Sequence, residues 1–143
     1  MKISSPDFTH NSPIPAKFTC TGAGINPALN IEDIPGGTRS LVLIMDDPDA
    51  PMGTFIHWVV YNISADTVNI KENNIPGLEG INTTGASSYV PPCPPSGTHR
   101  YFFKVYALDK ELTFGSPPEK EGLEAAMRGH IISSAEIIGL VKK

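Results

Sequence analysis

Three apolar stretches separated by turn residues dominate the hydrophobic pattern of the chain and predict the strands of its core. Positions 41–45 are five consecutive apolar residues, which is typical of a strand covered on both faces. A buried helix is the alternative, but Pro48 and Pro51 end the segment too early for one. Residues 40–45 are therefore predicted to form a central strand.

The second and third stretches cover residues 55–62 and 99–108, and a period of two assigns their side chains to faces. One face of the second predicted strand carries Phe55, His57, Val59 and Tyr61. One face of the third carries His99, Tyr101, Phe103 and Val105. Shorter strands are predicted at residues 16–20 and 68–71, because turn-forming prolines, glycines and asparagines follow or precede them.

The C-terminal region changes to a helical period. Within residues 119–132, apolar side chains recur every four positions and predict a helix, at Leu123, Met127 and Ile131. Ser133 followed by Glu136 resembles a capping box, so a second short helix is predicted to end near Gly139. Strands followed by a helical tail predict a mainly β domain, largely antiparallel, with one or two packed C-terminal helices. The length of 143 residues favours a single domain, residues 1–143.

Between the second and third core strands, residues 75–97 show little periodicity. The run of Pro91, Pro92, Cys93, Pro94 and Pro95 cannot form a helix or a central strand, because proline lacks a backbone donor. A loop of this length in a compact domain is usually functional or mobile.

The charge balance disfavours several classes of partner. Acidic residues outnumber basic ones by 15 to 11, which gives a net charge of −4 and argues against nonspecific nucleic-acid binding and a polybasic membrane patch. No apolar stretch is long enough to span a bilayer, and the N-terminal residues lack the apolar middle of a secretory signal. We therefore predict no nucleic-acid partner, no transmembrane segment and a cytoplasmic location.

The two cysteines, Cys20 and Cys93, have neither metal-binding spacing nor the pattern of a disulfide scaffold. We interpret them as free thiols without chemistry. A catalytic Cys93 served by His99 or His57 is the less favoured alternative.

Polar side chains of chemically useful types lie at the ends of the three predicted core strands. Asp47 and Asp49 follow the first strand in a turn with two prolines, His57 lies in the second, and His99 and Tyr101 begin the third. If the strands are neighbours, these five groups can meet in one pocket beside the proline-rich loop.

The same residues also have purely structural interpretations. Aspartate and proline are favoured in turns, because aspartate bonds its own backbone and proline presets φ. A lone His57 on an apolar strand is more often a hydrogen-bonded core residue than a ligand. His10 and His130 have no catalytic partner nearby in sequence, so we interpret both as structural.

Metal binding, hydrolysis and anion capture are three possible uses of such a pocket. We predict no metal and no cofactor, because the carboxylates lie in a rigid turn and no two histidines have the spacing of a familiar metal motif. A serine hydrolase would need a nucleophile elbow that the chain lacks, whereas acid–base hydrolysis through Asp47 and His57 stays open. Anion capture is favoured if the aspartates pair with the histidines, since a neighbouring carboxylate raises an imidazole pKa and so favours the charged donor form.

Taken together, these motifs resemble the phosphatidylethanolamine-binding protein family, whose animal members include Raf kinase inhibitor proteins. The similarity is greatest to the bacterial and archaeal branch and covers about residues 18–139. It rests on Thr21-Gly22 with Asn26-Pro27-Ala28-Leu29, Asp46-Asp47-Pro48-Asp49-Ala50-Pro51, His57-Trp58-Val59-Val60-Tyr61-Asn62-Ile63, Cys93-Pro94-Pro95-Ser96-Gly97 and His99-Arg100-Tyr101.

The resemblance implies two antiparallel β-sheets, a helical C-terminus and a small pocket that accepts phosphoryl head groups or similar anions. The residues implied as pocket members are Asp47, Asp49, Pro51, His57, Cys93, Pro94, Pro95, His99 and Tyr101. Val90-Pro91 departs from the glycines that prokaryotic members often have there, so the pocket rim is expected to be stiffer.

From these observations we expect a binding protein rather than an enzyme. Its ligand would be phosphate or a phosphoryl head group, and its partner a regulated protein such as a kinase or a protease. Inhibition of a protease through a surface loop is a further possibility, as is a homodimer. The alternative function is a hydrolase that uses the Asp/His pocket on a phosphorylated or acyl substrate.

Overall fold

The computed structural model describes residues 1–143 and contains nine strands, a short 3₁₀ turn at Ala16–Phe18 and one α-helix, α1, at Lys120–Met127. The strands are β1 Lys2–Ser4, β2 Ser12–Pro13, β3 Leu29–Glu32, β4 Ser40–Asp47, β5 Phe55–Ser64, β6 Asn69–Ile70, β7 Leu78–Glu79, β8 Thr98–Leu108 and β9 Ile131–Lys142. The predicted class, mainly β with two sheets, is confirmed. No helix in the chain has both the length and the apolar character needed to cross a bilayer.

A six-stranded sheet in the order β2-β9-β8-β4-β5-β7 forms the centre of the molecule. It is antiparallel except that β2 runs parallel to β9. Every residue of β4 is buried, as expected for a central strand whose two faces are both covered. The strand prediction for residues 40–45 is thus confirmed, and the strand continues through Asp47, which carries this carboxylate to the sheet end.

Two apolar cores lie on the two faces of this sheet. The intersheet core separates it from the three-stranded sheet β1-β3-β6 and contains Phe8, Ile14, Phe18, Leu29, Ile31, Leu41, Leu43, Met45, Trp58, Val60, Ile63, Ile70, Tyr101, Phe103, Val105, Ala107 and Ile137. The helix-side core contains Val42, Ile44, Val59, Tyr61, Leu108, Leu112, Leu123 and Met127. Consecutive residues of β4 alternate between the two cores, which follows from the period of a strand.

Strand β5 departs from the predicted side-chain alternation because it contains two bulges. Met45 pairs with Trp58 whereas Asp46 pairs with Ile56, so His57 is an extra residue without a partner on β4. The bulge places His57 toward Tyr101 while Trp58 still enters the intersheet core. The prediction that Val59 shares a face with His57 is therefore wrong, since Val59 belongs to the helix-side core.

The predicted second C-terminal helix is also wrong. Helix α1 ends at Met127, Gly129 follows with φ of +83°, and residues 131–142 form strand β9 along the whole length of β8. The Ser133 and Glu136 spacing is a local signal only, and pairing with β8 overrides it. The short strand predicted at residues 16–20 is a 3₁₀ turn instead, whereas the strand predicted at residues 68–71 is present as β6.

Cys20 and Cys93 form a disulfide bond, so their interpretation as free thiols is wrong. The two residues are 73 positions apart in sequence, yet their Cα atoms lie 5.4 Å apart. With so large a separation, the sequence alone does not indicate that the two cysteines are close in space, because only the fold brings them together. The bond joins the chain just after the 3₁₀ turn to the proline-rich loop.

Candidate functional site

A pocket of about 310 Å³ opens at one end of the six-stranded sheet. There the end of β4 lies between the start of β8 and the bulged start of β5. Its lining consists of Asp47, Ala50, Pro51, Phe55, His57, Val90, Pro91, Cys93, Pro94, Pro95, His99 and Tyr101. The structure thus brings together the predicted pocket residues with one exception, Asp49. His99 and Tyr101 share a face of β8 with Phe103, as the period of two predicts.

Asp47 and His99 form a buried pair at this pocket. Asp47 Oδ2 accepts a hydrogen bond from His99 Nδ1 at 2.7 Å, and both side chains are less than a tenth exposed. Asp47 Oδ1 accepts from the backbone N–H of Asp49 at 2.8 Å. Both carboxylate oxygens are therefore occupied within the protein. The proton on His99 Nδ1 leaves Nε2 as the ring nitrogen free for a ligand.

His57 is held by the backbone of Val90 rather than by an aspartate. Its Nδ1 donates to the Val90 carbonyl at 2.7 Å, and the Val90 N–H donates to the His57 carbonyl at 3.0 Å. Burial lowers the pKa of His57 below 6.5, although the bond to Val90 and the charge of Asp47 act in the opposite direction. The expectation that a carboxylate keeps this imidazole charged is therefore wrong for His57. With Nδ1–H engaged, its Nε2 carries a lone pair.

The lowered pKa of His57 predicts that acid destabilises the fold. Below about pH 6.5 the imidazole of the unfolded chain takes up a proton that the folded one resists. The contribution of His57 to the free energy of unfolding should therefore be fully present above that pH. As the pH drops below it, the free energy of unfolding should fall by at most about 1.4 kcal/mol per pH unit from this group.

Urea unfolding of the wild type and of His57→Asn between about pH 8 and pH 5 measures this contribution. The asparagine amide can keep the hydrogen bond to the Val90 carbonyl, but it does not titrate. We expect a shallower pH dependence in the variant. The other titratable groups are the same in both proteins. Identical slopes of the free energy of unfolding against pH would therefore contradict the burial argument.

Tyr101 supplies a neutral hydroxyl. Burial and the negative charge of Asp47 raise the pKa of the Tyr101 phenol, so it stays protonated at physiological pH. Its ring meets that of His57 edge-on at 5.2 Å and lies nearly parallel to that of His99 at 6.5 Å. The phenol hydroxyl is thus a donor beside the Asp47 carboxylate, between the two imidazoles.

Asp49 lies outside the pocket lining because Arg100 holds it. Its carboxylate accepts from Arg100 Nε at 3.0 Å, from Nη2 at 2.9 Å and from the backbone N–H at 2.9 Å. The side-chain hydrogen bond from Arg100 lowers the pKa of Asp49 to about 2. Asp49 therefore fastens the Asp-Pro-Asp turn to the start of β8, a role that motif spacing does not reveal.

Four lining residues lie outside the predicted set of pocket members: Ala50, Phe55, Val90 and Pro91. Ala50 lies inside the Asp47–Pro51 motif, and Phe55 precedes His57 by two positions, so the sequence held a signal for both. Val90 and Pro91 are expected only at the pocket rim, and both belong to the lining. Together with the prolines, these residues give the pocket a largely apolar wall above a polar base.

The remaining histidines have structural contacts. His10 Nδ1 accepts a hydrogen bond from the backbone N–H of Ile138, and His130 Nδ1 bonds Asp109 Oδ1 at 2.8 Å. Neither lines the pocket. No group of three or more histidine, cysteine, aspartate or glutamate side chains is arranged to hold a metal ion.

Similarity to known proteins extends over nearly the whole chain. Residues 4–142 match the model of the phosphatidylethanolamine-binding protein family. A UPF0098 protein of Chlamydia trachomatis is 45% identical over all of this chain and 99% of the relative. A UPF0098 protein of Methanothermobacter thermautotrophicus is 41% identical with the same coverage of 100% and 99%.

Solved structures share the fold. A crystal structure of a phosphatidylethanolamine-binding protein homologue from Chlamydia trachomatis has a TM-score of 0.96 at 44% identity, covering 99% of this chain and 97% of the other. E. coli YbcL, described as a member of the mammalian family, superposes with a TM-score of 0.90 at 24% identity, covering 99% and 98%, and supports the fold alone. By its family match and its relatives, the chain belongs to the phosphatidylethanolamine-binding protein family.

Proposed function

We propose that the pocket binds a small phosphoryl anion and that the protein acts as a ligand-binding regulator rather than as an enzyme. The observation that supports this best is the buried Asp47–His99 pair beside the neutral Tyr101 hydroxyl. Asp47 uses both oxygens within the protein, so it orients His99 instead of facing the ligand. Tyr101 and His99 Nε2 then present donors to an anion, with Asp47 as the counter-ion when both nitrogens of His99 are protonated.

Neutral His57 selects among anions. Its Nε2 lone pair can accept a hydrogen bond from a ligand hydroxyl, and it repels a bare anionic oxygen. Hydrogen phosphate carries such a hydroxyl near neutral pH, whereas sulfate does not. A phosphate monoester carries the hydroxyl only as its monoanion, which loses its proton with a pKa of about 6. The apolar wall of the pocket suits the organic group of such a monoanion. The pocket volume of about 310 Å³ lies at the small end of the range for ligand sites.

Titration with inorganic phosphate and with sulfate at about pH 7 tests the assignment. We expect saturable NMR shifts of the His57 and His99 rings with phosphate, and affinity about tenfold lower for sulfate, because sulfate leaves the His57 lone pair unpaired. His57→Asn should reduce this preference. Equal binding of the two anions would contradict the acceptor role, and absence of saturation would contradict the anion site.

The composition of the lining supports binding over catalysis. No serine or threonine lines the pocket, and Cys93 is bonded in a disulfide, so the nucleophiles of serine, threonine and cysteine hydrolases are missing from the lining. The alternative, a hydrolase, is favoured by the Asp47–His99 pair, which has the geometry of a general base and its orienting carboxylate. Release of phosphate from an aryl phosphate, abolished by Asp47→Asn, would establish the alternative.

The regulated partner is proposed from the family resemblance. We propose a Raf kinase inhibitor-like role in which the protein inhibits a kinase or a protease, with no nucleic-acid partner given its net charge of −4. Analytical ultracentrifugation, which measures the mass of the protein in solution, tests whether it forms a homodimer. We keep a cytoplasmic location in this proposal, although a disulfide such as Cys20–Cys93 is uncommon in reducing compartments.

A further inference from the structure

The proline-rich wall of the pocket has unusually few hydrogen bonds to hold it. Pro91, Pro92, Pro94 and Pro95 have no backbone N–H, and the N–H of Cys93 makes no hydrogen bond within the protein. Three of these prolines line the pocket together with Cys93. The wall therefore cannot be fastened by its own donors.

Cys20 provides the tether that the wall lacks. Its sulfur is bonded to Cys93, and its backbone N–H donates to the Pro92 carbonyl at 3.0 Å. The two flanks of the wall have hydrogen bonds of their own. The Val90 N–H donates to the His57 carbonyl, and the Lys143 N–H donates to the Gly97 carbonyl. Between these flanks, the Cys20 segment makes the one covalent link and the one backbone hydrogen bond.

Both cysteines are exposed, unlike residues of a disulfide sealed in a core. An attacking thiolate needs in-line access to one sulfur of the bond, and exposed disulfides are the ones that exchange. The bond joins two exposed residues, and one of them, Cys93, lines the candidate pocket, so a disulfide at the protein surface adjoins the proposed ligand site.

We propose that Cys20–Cys93 is a thiol-exchange site through which a dithiol reductant lowers the affinity of the pocket for its anion. The ligand in this statement rests on the proposed phosphoryl-binding function. One thiolate of the dithiol attacks Sγ of Cys20 or Cys93, and the S–S bond breaks as the other sulfur leaves with a proton. The second thiol then displaces the bound cysteine. Two electrons and two protons pass to the cysteines, and the reductant becomes a disulfide.

Reduction frees the wall between Val90 and Gly97 without removing any polar group from the base of the pocket. Ligand affinity then falls in proportion to the fraction of molecules whose wall is in place. If that fraction is about one tenth, the dissociation constant for phosphate rises about tenfold.

The test compares oxidised protein with protein treated with dithiothreitol in native buffer, with alkylation and mass spectrometry to count the freed thiols. We expect both cysteines to become alkylated, phosphate binding to weaken about tenfold, and the Cys20 amide, which donates to the Pro92 carbonyl, to exchange hydrogen faster. Circular dichroism should stay unchanged. The double variant Cys20→Ser/Cys93→Ser is the matched control, and it should bind phosphate like the reduced protein and ignore dithiothreitol.

Each other outcome overturns the proposal. A disulfide that resists dithiothreitol in native buffer is not an exchange site. Unchanged phosphate affinity and unchanged exchange of the Cys20 amide after reduction mean that the bond does not control the wall, and global unfolding means that it is only a structural staple. If the oxidised protein fails to bind phosphate at all, the proposed function fails, and the exchange rate of the Cys20 amide alone then decides whether the wall is released.

Discussion

Replacing Asp47 with alanine is expected to lower the free energy of unfolding by about 3–4 kcal/mol. The substitution removes a buried charged hydrogen bond to His99, worth about 1.5–3 kcal/mol, and the bond from the Asp49 N–H, worth about 1 kcal/mol. It also leaves the Nδ1–H of a buried imidazole without its acceptor. Urea unfolding at about pH 7.5 measures the loss.

Asp49→Ala is the matched control, because both carboxylates belong to the same turn. Asp49 makes more hydrogen bonds than Asp47 does, but its partner Arg100 is half exposed, with a side-chain exposure of 50%. Water can replace those bonds, so we expect a loss of about 1 kcal/mol or less. Equal losses for the two variants would show that turn geometry, rather than the buried pair, determines the effect.

The central strands and the pocket were predictable because their signals are local and agree with one another. Five apolar residues in succession before Pro48 leave little choice but a buried strand, which β4 is. The alternation of His99, Tyr101 and Phe103 fixes one face of β8, since no bulge interrupts that part of the strand. Strand ends that carry polar groups then meet when the strands are neighbours in the sheet.

The failures come from interactions between distant parts of the chain. His57 points into the pocket because the pairing of β5 with β4 contains a bulge, and no residue in β5 marks that irregularity. Residues 131–142 have helical local spacing, but pairing with the full length of β8 makes them a strand. The Cys20–Cys93 bond and the withdrawal of Asp49 by Arg100 likewise depend on partners 73 and 51 positions away.

These corrections change the chemistry of the site and not only its outline. The sequence suggested two charged imidazoles, each activated by an aspartate. In the structure, one aspartate serves His99, the other serves Arg100, and burial favours the neutral form of His57. In the bound state that we propose, with His99 Nε2 donating to the anion, the pocket combines donors with one acceptor, His57 Nε2, and this asymmetry suits a protonated anion such as hydrogen phosphate.

His99→Asn is expected to weaken phosphate binding by about 10- to 100-fold while leaving stability nearly unchanged. The asparagine amide can occupy the place of Nδ1 and donate to Asp47, so the buried pair keeps its hydrogen bond. The variant lacks an equivalent of Nε2, and loss of a charged hydrogen bond to a ligand costs about 1.5–3 kcal/mol. Calorimetric titration with phosphate and urea unfolding of the same samples separate the two effects.

The chain offers a matched control for this substitution. His130 also bonds an aspartate through Nδ1, at 2.8 Å to Asp109, but this pair is exposed and does not line the pocket. His130→Asn should therefore leave phosphate affinity unchanged. Unaltered affinity in His99→Asn would remove His99 from the binding site, whatever the stability shows. Equal weakening in both variants would mean that phosphate affinity depends on the overall charge of the protein. A specific site would lose affinity only when the histidine that lines the pocket is replaced.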